Sequence, residues 1–160
     1  SLIHRFVSGA FDESYIRTLG AVVTKKAVEL EAVGGRPLHV DMSVMDIMGK
    51  RTFLDLFQDA YFHGAGGILA VADLTRRSTL DGLRFWIESV ERASGKLPVV
   101  LVVNKADLAD RAEYGPEEIE EAAKAFGAEY LQTSAKTGAH VEEAFCRLAL
   151  LAAKRQLGLP

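Results

Sequence analysis

Pro98-Val99-Val100-Leu101-Val102-Val103-Asn104-Lys105-Ala106-Asp107 is the stretch on which the fold turns. A short, continuous apolar run between a proline and a polar cluster suits a strand buried on both faces of a largely parallel sheet. Gly66-Gly67-Ile68-Leu69-Ala70-Val71-Ala72-Asp73 reads the same way. Leu38-His39-Val40-Asp41-Met42-Ser43-Val44-Met45-Asp46 alternates instead, as a half-covered edge or hairpin strand does. Its expected partner is residues 21–30, joined through the turn formers Gly34-Gly35-Arg36-Pro37.

Helices are expected between these runs. Ser78 with Asp81 three residues on reads as a capping box ahead of Leu80, Leu83, Ile87 and Val90 on one face. Pro116-Glu117-Glu118 suits a first turn, and Gly127 a helix end. Val141, Phe145, Leu148 and Ala152 share a last stripe, and residues 1–7 read as a further helix. Helix, hairpin and then repeated strand–helix units make an α/β layered fold with crossovers on both faces of the sheet.

The chain has 160 residues, 49% hydrophobic and 26% charged, with a formal net charge of −3. That suits one globular domain over residues 1–160 and excludes a collagen-like or disulfide scaffold. The mild acidity argues against a sequence-blind nucleic-acid binder, which needs a basic face. A single cysteine, Cys146, together with the lack of any bilayer-length apolar run, leads us to expect a cytoplasmic protein. His4, His39, His63 and His140 show no metal-ligand spacing.

Ligands of open α/β sheets bind beyond the carboxyl ends of the strands. The Asp107 carboxylate is an acceptor-only group able to receive two parallel N–H bonds, an edge that guanine offers and adenine does not. Asn104 can tie neighbouring loops, and the Lys105 stem can lie across a base. The Ser134-Ala135-Lys136 loop can bring a backbone N–H to the guanine carbonyl. Asp46, three residues before Gly49, can hold magnesium through water. Each motif alone also fits an ordinary polar turn.

Thr18-x-Gly20, Asp46-x-x-Gly49, Asn104-Lys105-x-Asp107 and Ser134-Ala135-Lys136, in that order, resemble the Ras-like small GTPases, especially the Rab branch. The Rab-like pattern extends to Arg5-Phe6, Phe11, Tyr15 and Val141-Glu142-Glu143-Ala144-Phe145. The resemblance implies a three-layer P-loop NTPase-type G domain, mostly parallel, with one antiparallel edge hairpin. It further implies a switch that binds GTP or GDP with magnesium and hydrolyses GTP. Thr18 and Asp46 would then serve the metal, and Thr18, Gly49, Asn104, Lys105, Asp107, Ser134, Ala135 and Lys136 the nucleotide. Effectors, exchange factors or GTPase-activating proteins would meet residues 10–20 and 47–62.

Two departures stand out. No G-x-x-x-x-G-K-[ST] motif occurs, so the first strand and phosphate loop are missing from this stretch, which is therefore expected to be a fragment. Lys50 occupies the family's catalytic glutamine position; an ammonium only donates hydrogen bonds, so slow intrinsic hydrolysis is expected. A pseudo-GTPase binding module is the alternative, and an unrelated doubly wound domain a more distant one. The tail carries no cysteine for a lipid anchor.

Overall fold

Strand β4, Val99–Asn104, is the centre of a parallel sheet ordered β3-β4-β5, flanked by β3, Ile68–Asp73, and β5, Glu129–Gln132. The structure, a computed structural model, describes residues 2–9, 21–33, 35–47 and 62–160. Val99 to Val103 are all buried, as the continuous apolar run requires. Their alternation divides the protein into layers. Val100 and Val102 face a core built with Leu2, Phe6, Val28, Leu30, Phe145 and Leu148, whereas Leu101 and Val103 face Leu80, Leu83, Ile87, Tyr114 and Ile119.

The first core joins α1, Leu2–Ser8, and α5, Val141–Gln156, to a hairpin of β1, Ala21–Val33, and β2, Arg36–Ile47. Val28 opposite Val40 and Leu30 opposite Leu38 point inward; Glu29, His39 and Asp41 point out. The ladder runs further than expected: after an irregularity between Leu30 and Val33 it resumes at Val33 opposite Arg36. Arg36 and Pro37 therefore belong to β2 rather than to a loop, and Gly35, at φ +86°, makes the tight turn possible. Among the described residues, the hairpin and the parallel sheet share no ladder.

The second core lies under α2, Arg77–Asp81, α3, Leu83–Ser94, and α4, Pro116–Phe126. Leu80, Leu83 and Ile87 are buried as the periodicity predicts, but Ser78 does not cap. The helix begins one residue earlier, and the Arg77 N–H is accepted by Glu113 Oε2 at 2.6 Å, from 36 residues away. One orphan donor of the first turn is thus satisfied from across the fold rather than by a local cap. Helix α4 starts at Pro116, where Glu118 accepts the Gly115 N–H at 2.6 Å, and ends on a left-handed Gly127. Gly67 packs closely on α5: a Cβ there would sit 2.8 Å from Leu148 Cδ1, so Leu148 would have to shift to admit a side chain. No described helix is long and apolar enough to cross a membrane.

Candidate functional site

The carboxyl ends of β3, β4 and β5 lie side by side, with Asp73 in register with Asn104. After Asn104 the chain turns sharply: Lys105 has φ 66°, a left-handed conformation that costs a non-glycine residue about 1–2 kcal/mol. Two backbone bonds hold it there, Leu108 N–H to Lys105 O at 2.9 Å and Ala106 N–H to Thr133 O at 2.9 Å. A 3₁₀ turn, Ala106–Arg111, follows, with Asp107 in its first turn.

The two loops singled out in the sequence meet here. Asn104 Oδ1 accepts from Ala135 N–H at 3.1 Å and from Thr133 Oγ1 at 3.2 Å, tying the β4 end to the loop after β5. The Ser134 hydroxyl donates to Asp107 Oδ1 at 2.6 Å while accepting from Thr137 N–H at 3.0 Å. Ser134 and Ala135 are buried; Asp107 and Lys136 are exposed. The loop closes through Gly138 N–H to Ser134 O and Ser134 N–H to Ala139 O. The Ala135 amide thus serves the scaffold, and among the described residues no backbone acceptor takes the Lys136 amide.

Three contributors were given no role by the sequence. Arg5 of α1 donates from Nε to Ala135 O at 2.7 Å, from Nη2 to Lys136 O, and from Nη1 to Gly9 O at 2.7 Å. One guanidinium thus satisfies three backbone carbonyls and pins the loop to α1. Asp73 pairs with Lys105 Nζ at 2.7 Å. Burial pushes the Asp73 carboxyl up, but hydrogen bonds from Lys105 and Thr75, with the lysine charge, outweigh it and leave it below its usual range. Tyr114 donates its hydroxyl to Asp73 O at 2.9 Å, and burial pushes that phenol up to about 12, so it stays a donor. Asp73 was detectable as a strand-end residue by the rule that found Asn104; Arg5 stood in the sequence only as part of the Rab-like pattern, without a role, and Tyr114 had no comparable signal.

Asp46 lies near the end of β2, half-buried and opposite Val22. Thr18, Gly49 and Lys50 lie outside the described residues, as do nearly all of residues 10–20 and 47–62; Phe62, at the end of the second stretch, is buried. The carboxylate of Asp46 and the hydroxyl of Thr18 are hard oxygen donors, the set that suits magnesium.

A central parallel sheet covered by helices on both faces, with an antiparallel hairpin beside it, is the architecture of a Ras-like G domain. Comparison with known proteins agrees. The model of the Ras family matches residues 1–154, and the chain belongs to that family as a Rab-like small GTPase. It is 33% identical over 149 residues to human (Homo sapiens) Ras-related protein Rab-8B, covering 92% of this chain and 69% of that protein. Ras-related protein Rab-8B of Dictyostelium discoideum is 34% identical over 160 residues, 99% of this chain and 76% of its own length. Ras-related protein Rab-8A of Mus musculus is 32% identical over 149 residues, 92% and 69% respectively.

Proposed function

We propose that this small GTPase is a cytoplasmic switch that binds GTP and GDP with magnesium and hydrolyses GTP. The observation carrying the reading is the convergence of Asp107, Asn104 and the Ser134-Ala135-Lys136 loop at the strand ends, locked together by the Asn104 and Ser134 hydrogen bonds. Asp107 would accept the ring N–H and amino group of guanine, and a backbone amide of the Ser134-Ala135-Lys136 loop would donate to its carbonyl. The Lys105 stem would cover one face of the base. Thr18 and Asp46 would hold magnesium, Asp46 through water, and the Gly49 amide would meet the terminal phosphate. Bound magnesium would neutralise developing phosphate charge. Loss of the γ-phosphate would release residues 10–20 and 47–62, changing which effectors, exchange factors or GTPase-activating proteins bind there.

Calorimetric titration of the full-length protein with GDP, a magnesium–GTP analogue and ATP tests this. A site that hydrogen-bonds the base edge should favour guanine by ~10⁴-fold or more. Equal affinity for ATP would overturn the reading.

Lys50 sets the rate. It can stabilise phosphate charge but cannot accept a hydrogen bond from attacking water. Restoring an acceptor with Lys50→Gln is expected to raise single-turnover GTP hydrolysis by about tenfold or more. An unchanged rate would show that Lys50 does not limit the step.

A further inference from the structure

Asp73 ends β3 with its carboxylate fully engaged. Oδ1 accepts from Thr75 N–H at 2.9 Å and from the Thr75 hydroxyl at 2.7 Å; Oδ2 takes Lys105 Nζ at 2.7 Å. Its own backbone is pinned as tightly, since its N–H goes to Thr79 Oγ1 at 2.8 Å and its carbonyl accepts the Tyr114 hydroxyl at 2.9 Å. Tyr114 and Glu113 are anchored in turn, Glu113 N–H to Leu74 O at 3.0 Å and Glu113 Oε2 to Arg77 N–H. Asp73 is thus a fixed anion 15% exposed at its side chain, whereas Lys105 is 48% exposed.

An exposed lysine stem ordinarily samples many rotamers, and a ligand that packs on it has to freeze them. Here the left-handed backbone at Lys105 and the ion pair at its tip hold both ends of the four-carbon stem. The ion pair draws the stem from the end of β4 toward the end of β3, where Asp73 and Asn104 are in register; the proposed function puts the base against this stem.

The geometry points to Asp73 as a positioning residue for nucleotide binding: it pre-orders the Lys105 stem as the platform for the base. The inference rests on the guanine-site reading above. It assigns Asp73 no contact with the ligand and no part in choosing between bases.

Asp73→Asn keeps an oxygen for Thr75 and replaces the partner of Lys105 with a donor. Lys105→Met keeps an apolar stem of similar length and removes the ammonium. In the full-length protein each is expected to weaken GDP binding by about tenfold, the loss expected when the ligand must order the stem itself. The double variant should be no weaker than either single one, because both remove the same contact. The ratio of GDP to inosine diphosphate affinity, read by Asp107, should stay unchanged. In the ligand-free protein, the Lys105 ammonium nitrogen should give an exchange-protected NMR signal that disappears in Asp73→Asn. Additive losses in the double variant would make Asp73 a merely structural turn residue and overturn the proposal. So would full GDP affinity in Asp73→Asn, or an ammonium signal indifferent to it. Failure of the unaltered protein to bind GDP at all would instead bring down the site reading and this inference with it.

Discussion

Asp107→Asn is expected to lower GDP affinity by ~10²–10⁴-fold, because two hydrogen bonds to an ionised acceptor are each worth about 1.5–3 kcal/mol. The argument is one of matching edges. A carboxylate offers only acceptors, and guanine presents a ring N–H beside an amino group, so both ligand donors are satisfied. An asparagine amide offers one oxygen and one NH₂, which sets donor against donor at the amino position. Xanthine has a carbonyl in that place and keeps the neighbouring N–H, so the variant should gain affinity for xanthosine diphosphate as it loses GDP. The scaffold should survive, since the Ser134 hydroxyl, 2.6 Å from Asp107 Oδ1, still finds an oxygen in the amide. Competition between the two nucleotides on the full-length protein measures the exchange of preference. Unchanged GDP affinity would remove Asp107 from the base site.

What the sequence made legible, and what it did not, follows from the range of each interaction. Strand β4 could be read because burial on both faces writes a continuous apolar run, and α4 because Pro116 and Gly127 act locally. Strand β3 carries the same kind of run and forms where expected, but only Ala70 and Ala72 are buried and Val71 is exposed, so its expected burial on both faces does not hold. The meeting of Asn104–Asp107 with Ser134–Lys136 was also foreseeable, since both follow neighbouring parallel strands. Other features depend on partners that have no fixed spacing. Ser78 looked like a cap because its neighbours fit the local pattern, yet the helix start is satisfied by Glu113, which only the folded chain brings near. Arg5 reaches carbonyls about 130 residues away, and no periodicity announces a side chain that binds backbone. The Asp73–Lys105 pair joins two strand ends whose adjacency is topological, so it appears only once the strand order is known.

Phe145→Ala is the substitution expected to cost the most stability, about 3–5 kcal/mol, the range for truncating a buried aromatic ring. Phe145 is 1% exposed and stacks on Phe6 with ring centroids 4.0 Å apart and planes within 3°. Phe6 is also met by Lys26 of β1, whose Nζ lies 4.3 Å from its ring centroid and donates to its carbonyl. The ring pair therefore docks α1 between α5 and the hairpin, and α1 carries Arg5, the brace of the loop at Ala135 and Lys136. In a domain of this size such a loss lowers the melting temperature by roughly 10 °C. Two effects should accompany each other: lower global stability, and faster amide exchange at residues 134–138 under native conditions, because Arg5 loses its fixed mooring. Ile119→Ala separates them. Ile119 is fully buried in the other core, under α4, and its truncation should destabilise the protein by a comparable amount. It leaves the Phe6–Phe145 stack intact, so exchange at residues 134–138 should stay slow relative to global unfolding. If both variants loosened that loop equally, α1 would not be what holds it.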